Sequence, residues 1–190
     1  MKNLITMNFG EQQPTLQFPS EKRCLLLVNE RKEERKAMDS EGNESEETVV
    51  SYDYDGIFLD VKNPTEEAAI EALRTILLEQ IDQHDTSSAV NSFTLEGKEM
   101  WLPKETRVGL MNSLNIEKNA GKTTTVLWFG SESYALGIDT AMQMLSALEL
   151  YALDCYNVTA AHKADVEALK TVEEIVAYDY EEGYPEKLNF

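Results

Sequence analysis

At 190 residues the chain is long enough for one ordinary domain or two small lobes, and 42% hydrophobic residues with a mean hydropathy of -0.40 describe a folded globular protein. Its 35 acidic against 17 basic residues give a formal net charge of -18, which repels nucleic acid backbones and anionic membrane surfaces and so argues against both as partners. No run approaches the ~20 apolar residues of a membrane helix and residues 1–9 lack a secretory signal, so the expected site of work is the cytoplasm in which the chain is made.

MKNLITMNF alternates apolar and polar residues as a strand does, and QQPTLQFPSEK reads as a proline-bearing connector. RCLLLVNERKEERKAM begins as a buried strand and continues with charges, and ETVVSYDYDGIFLDV is a second strand rich in Val, Tyr, Phe and Ile. MDSEGNESEE between them has the composition of an exposed hairpin loop. A helix should then start at Asn63-Pro64-Thr65, with Asn63 or Thr65 as cap, and run to about His84. Its apolar positions Ala69, Ile70, Leu73, Ile76, Leu77 and Ile81 recur at helical spacing and would pack on the preceding sheet. These elements make an N-terminal sheet-and-helix lobe over residues 1–85, and the polar, small residues 85–89 mark its boundary.

The second region, residues 91–190, opens with a hairpin in SFTLEGKEMWL around Glu96-Gly97-Lys98. A medium helix follows over residues 104–119, started by Pro103 and closed by Gly121, and TTTVLWF with SYALGI forms a second hairpin. Residues 139–170 contain no Gly or Pro and read as one helix of about 45 Å. A short helix TVEEIVAYDY starts at Thr171 with Glu174 completing a capping box, and the closing EEGYPEKLNF offers Tyr184, Leu188 and Phe190 as anchors that dock it on the fold. The expected class is α+β: a small antiparallel sheet plus helix, then two short hairpins, one medium helix and one long helix.

The long helix carries a seam of three- and four-residue steps through Ile138, Ala141, Leu145, Leu148, Ala152, Cys155, Thr159, His162, Val166 and Leu169. The medium helix, about 24 Å long, spans half of it. A symmetric second copy would cover the remainder, which makes Leu145, Leu148, Ala152, Cys155, Thr159 and His162 the expected self-association residues; burial within one chain is the other reading. On the first reading Leu148→Glu breaks the assembly.

Features that suggest chemistry each have a plainer explanation. Ala120-Gly121-Lys122-Thr123 resembles the end of a phosphate loop, but Ile116 stands where its first glycine belongs, and the order helix, Gly-Lys-Thr, strand presents carbonyls to a phosphate. Asp53 to Gly56 resembles the start of a calcium loop, yet Pro64 occupies its closing position. Cys155 and His162 supply two metal ligands at most, and Cys24 and Cys155 lie in apolar contexts that suit reduced core thiols. No serine or cysteine has a nucleophile's setting, and the carboxylate pairs lie in surface runs. Catalytic residues, a metal and a cofactor are therefore not expected.

From Phe93 to Phe190 the order FTLEGKEMWLPKETR, TTTVLWFGSESYALGID, long helix and VEEIVAYDYEEGYPEKLNF resembles a phage-tail-associated domain of unknown function found in tailed phages and prophages. Thr106-Arg107 after Trp101, the Trp128 strand, Tyr178-Asp179-Tyr180 and Gly183-Tyr184-Pro185 carry the resemblance, and MNFGEQQPT with CLLLVNERKEER and YDYDGIF looks like the N-terminal lobe of versions from gut Bacteroides phages. It implies a non-enzymatic role in tail or tail-fibre structure, attachment or assembly, with tail or tail-fibre proteins as partners, in the host bacterial cytoplasm during assembly or in the virion tail. Trp101, Arg107 and Tyr184 are then candidate contacts; the simpler reading makes Trp101 and Trp128 core aromatics and ties Arg107 to a carbonyl or an acid nearby. The alternative functions are inhibition of a host DNA-binding enzyme by DNA mimicry, suggested by the acidity, and an unrecognised hydrolase.

Overall fold

The computed structural model of the chain describes residues 1–38 and 44–190 and is α+β, as expected. Its contacts divide it into two compact units, Met1–Leu78 with Val166–Tyr178 and Glu79–Asp165 with Asp179–Phe190.

The first unit is built on a four-stranded antiparallel sheet of β1 (Ile5–Phe9), β2 (Leu16–Ser20), β3 (Arg23–Met38) and β4 (Glu44–Asp60), in the order β1-β4-β3-β2. Successive side chains of a strand point to opposite faces, so Cys24 and Leu26 lie on one side and Leu25 and Leu27 on the other. The second of these faces gathers Tyr54 with Met7, Phe9 and Tyr52. Among the buried residues of the unit are also Leu59, Ala69, Leu73 and Leu77, and Val172 and Ile175 from the short helix α5 (Val172–Ala177). Thr65 is the cap that starts helix α1 (Glu66–Asp85), its hydroxyl accepting from the Ala68 amide at 3.2 Å. Thr171 and Glu174 form the expected capping box of α5.

One strand feature differs from the sequence reading. Residues 16–20, read as part of a connector because of Pro19, form edge strand β2; Leu16 and Gln17 pair with Leu26 and Leu25, and the register shifts past Gln17, so Pro19 owes the ladder no amide. The charged run RKEERK continues β3 opposite 48–53 of β4. A register shift between Val28 and Arg31, with Asn29 at φ 54°, marks a bulge where this hairpin departs from the rest of the sheet. Of the expected loop, residues 38–47, Met38 ends β3 and residues 44–47 begin β4, and residues 39–43 lie outside the described residues.

Gly56 sits where β1, β3 and β4 meet, paired with both Leu27 and Ile5. A Cβ there would stand 2.8 Å from Leu27 Cδ2, 3.0 Å from Met7 Sδ and 3.1 Å from the Leu26 carbonyl oxygen, and the last cannot swing aside. Gly56→Ala should therefore cost about 1–3 kcal/mol, seen as a lower urea midpoint at unchanged slope. An unchanged midpoint would mean that the sheet tolerates a methyl group at this crossing.

The second unit contains α2 (Ser88–Asn91), hairpin β5 (Phe93–Leu95) and β6 (Lys98–Met100), α3 (Lys104–Asn119), hairpin β7 (Thr124–Phe129) and β8 (Glu132–Gly137), and most of α4 (Ile138–Ala168). The polar stretch 86–89, read as a lobe boundary, lies inside this unit: Ser87 caps the single turn of α2, and Val90 is buried. Residues 188–190 run beside β5, where the Thr94 amide donates to the Leu188 carbonyl at 2.9 Å and the Phe190 amide to the Thr94 carbonyl at 2.9 Å. The closing segment docks, as its apolar anchors suggested.

The α4 seam, for which self-association and burial within one chain were the two readings, is largely covered within this unit. Ile138, Ala141, Leu145 and Leu148 share one core with Leu114 of α3, Leu127 and Phe129 of β7, Tyr134 of β8 and Phe93 and Leu95 of β5. Farther along, Tyr151 and Cys155 pack with Val90, Tyr184 and Leu188. Both hairpins and the closing segment supply the cover that α3 is too short to give, so Leu145, Leu148, Cys155 and Thr159 are buried within one chain.

Candidate binding groove

The seam's polar members form an internal network. The Thr159 hydroxyl donates to Asp85 Oδ1 at 2.7 Å, and because that proton is used, the Tyr184 hydroxyl, 2.8 Å away, donates to Thr159. The Tyr184 ring stands 5.1 Å from the His84 ring and 5.8 Å from the His162 ring, and His162 Nε2 lies 2.9 Å from the Glu182 carbonyl oxygen. Thr159, His162 and Tyr184 thus hold residues 179–190 against α4. Tyr151 donates to the Val90 carbonyl at 2.7 Å, and burial pushes its phenol upward and raises the thiols of Cys155 and Cys24 above their usual range. A thiol kept protonated by burial is a poor nucleophile.

Next to this network the second unit carries an open groove of about 1030 Å3. Its walls include Trp101 and Pro103 ahead of α3, Met111 of α3, and Leu150, Ala152, Leu153 and Tyr156 of α4, with Asp85 and Asn91 also on the lining. Four of its large side chains face solvent: Trp101 is 48% exposed, Leu150 65%, Leu153 54% and Tyr156 65%. The reason is the helical period. The seam occupies one face of α4, and Leu150, Leu153 and Tyr156 recur at three-residue steps on another, so burying the first leaves the second outside.

Arg107 closes one part of this wall. Its Nε donates to Glu149 Oε2 at 2.9 Å and its Nη1 to the Leu102 carbonyl at 2.7 Å, with the side chain 11% exposed. The guanidinium bonds both a carbonyl and an acid, as the simpler sequence reading had it, and its charge is answered inside the fold.

Both tryptophans depart from the core reading. Leu127 and Phe129 of β7 point into the core, so Trp128 between them points out, 64% exposed beside the likewise exposed Val126. Trp101 follows β6, and Leu102 after it takes the buried position. Of the residues singled out in the sequence, Trp101, Arg107, Ala152 and Cys155 meet in the groove; Leu145 and Leu148 lie in the core beneath, and Thr159, His162 and Tyr184 in the adjoining network. Leu150, Leu153 and Tyr156 were missed, although a second apolar stripe on a helix already carrying a seam was a readable signal.

The resemblance to a phosphate loop ends in an ordinary helix terminus: Gly121 adopts φ 82° behind α3, and Lys122 pairs with Glu117 at 2.8 Å. Asp55, from the calcium-like stretch, pairs with Arg31 at 2.8 Å, which lowers its carboxyl below the usual range. Among the described residues no three His, Cys, Asp or Glu side chains are grouped to hold a metal ion, and no helix is long and apolar enough to cross a membrane.

The class that the fold and the groove define is an α+β protein with an open, largely apolar groove. No family model, curated protein or solved structure matches the chain.

Proposed function

We propose that this is a non-catalytic binding protein, and specifically a phage or prophage tail-associated protein that acts by protein–protein contact in tail or tail-fibre structure, attachment or assembly. The observation that carries the binding part is the groove: Trp101, Leu150, Leu153 and Tyr156 stay exposed beside an arginine whose bonds are satisfied within the fold. Apolar area gathered in one concave surface is what a docking partner removes from water, and such patches on soluble domains mark interaction sites. The tail assignment rests on the resemblance of residues 93–190, together with that of the N-terminal lobe. In this reading the protein works in the host bacterial cytoplasm during assembly, or in the virion tail, without nucleic acid, membrane, metal or cofactor. DNA mimicry is less favoured because the acidic excess is shared equally: 19 acids against 10 bases in the first unit, 16 against 7 in the second.

The test is location. Mass spectrometry of purified virions, and of tail-protein complexes isolated from infected cells after cross-linking, should find the chain in one or both. Recovery with a basic host DNA-binding protein that salt releases, and absence from every tail fraction, would replace this reading with mimicry.

A further inference from the structure

The outer edge of β7 is open. The Ile138 amide donates to the Thr123 carbonyl at 3.0 Å, and the β7–β8 ladder runs unshifted from Thr124 opposite Gly137 to Phe129 opposite Glu132. Pairs that exchange backbone hydrogen bonds alternate in such a ladder with pairs that do not, so counting in twos from Thr123 gives the bonds to Thr125, Leu127 and Phe129. The amides and carbonyls of Thr124, Val126 and Trp128 point the other way. Among the described residues no third strand pairs with β7 to meet them. Elsewhere the chain closes or blunts such edges: residues 188–190 run along the outer side of β5, and β2 carries Pro19 and a register shift. Residues 123–129, TTTVLWF, hold no charge, no proline and no bulge.

We propose that a second copy of the chain takes this edge, β7 lying antiparallel on β7 with Val126 on the two-fold axis. The pairing is independent of the groove and of the tail assignment. Its occupant follows from the symmetry and the charge of the edge. Thr124 and Trp128 stand two residues to either side of Val126, so the axis sets Val126 opposite itself and each Thr124 opposite Trp128 of the other copy. All three pairs then exchange both bonds, and the two hairpins become one four-stranded sheet, β8-β7-β7-β8. On its outer face the exposed Trp128 comes within diagonal reach of the exposed Val126 of the second copy. Each copy has a net charge of -18, yet the strand itself is uncharged, and the charges that flank it, Lys122 and Glu132, are answered within their own copy by Glu117 at 2.8 Å and Lys98 at 2.6 Å. The repulsion that remains is long-range, and salt at ~0.15 M screens it beyond about 8 Å.

Three paired residues on each side make a small seam, so the dimer should be weak, with a Kd on the order of 10–100 μM. Sedimentation in ~0.3 M salt should show a monomer at about 1 μM and mostly dimer at about 500 μM. Over that range amide exchange at Thr124, Val126 and Trp128 should slow about threefold or more, while Leu127, already bonded to β8, changes less. Val126→Lys and Val126→Glu each set like charges face to face and should weaken the dimer about tenfold or more with the circular dichroism unchanged. Mixing equal amounts of the two variants should restore it, because opposite charges then meet at the axis. A parent chain still monomeric at ~500 μM leaves the edge to a strand of another protein and overturns the proposal. So does a dimer whose three outward amides exchange as fast as the monomer's, a dimer that either variant leaves intact, or a folded pair of variants that does not recover on mixing. Should a variant unfold, the amide pattern of the parent chain decides.

Discussion

Leu148→Glu should unfold the second unit, while Leu153→Glu, five residues along the same helix, should leave it intact. Leu148 is 5% exposed in the core it shares with Leu114, Leu127 and Phe129. The substitution removes a buried isobutyl group and places a carboxylate in a core of apolar side chains. The first loss alone costs about 2–5 kcal/mol, and stranding the charge adds to it. A domain holds on the order of 5–15 kcal/mol in all, so the unit should be largely unfolded at room temperature or melt far below the parent protein. Leu153 is half exposed, and exchanging it for a charge should change stability by about 0.5 kcal/mol or less. Far-UV circular dichroism with urea titration separates the two. If Leu148→Glu melts with the parent chain and only changes its sedimentation, the seam faces a second copy and the burial described above is wrong.

Ending the chain at Gly183 should cost roughly 4 kcal/mol, because the closing segment acts as a strand, a cap and a core element together. Residues 188–190 exchange three backbone hydrogen bonds with β5 and the turn after it, through Thr94 amide to Leu188, Phe190 amide to Thr94, and Glu96 amide to Phe190. The Phe190 ring lies edge-on to Phe93 at 5.9 Å, and Leu188 and Tyr184 pack against Val90, Tyr151 and Cys155. Lys187 adds a bond to the Ser92 hydroxyl at 2.6 Å, which ties the segment to the end of α2. Removing these contacts opens β5 to water on its outer edge and uncovers the middle of α4. The shortened chain should show a lower urea midpoint together with faster amide exchange at Thr94 and Glu96. Unchanged exchange at those two amides would show that the segment contributes little to holding β5.

Much of this architecture was legible locally. The period of α4, the cap at Thr65, the capping box of Thr171 and Glu174 and the hairpin turn at Glu96-Gly97 are each set by residues within a turn or two of one another, where steric preference and local hydrogen bonding decide the conformation. The seam also showed in advance which face of α4 would be covered, since periodicity reports that a stripe must leave water. It does not report what covers it. That was decided by contacts among Phe93, Leu114, Phe129, Tyr134 and Leu188, spread over nearly a hundred residues of sequence, because apolar attraction is non-directional and accepts a strand, a helix or a closing segment alike. The same holds for the groove. Asp85, Trp101, Arg107 and Tyr156 become neighbours only once α3, α4 and the end of α1 are packed, and the exposure of both tryptophans is set by which residue beside each one takes the buried place, Leu102 in one case and Leu127 with Phe129 in the other. Local sequence determined the elements and their apolar faces; the tertiary structure determined which faces met, because burial rewards any cover that excludes water and the chain had several to offer.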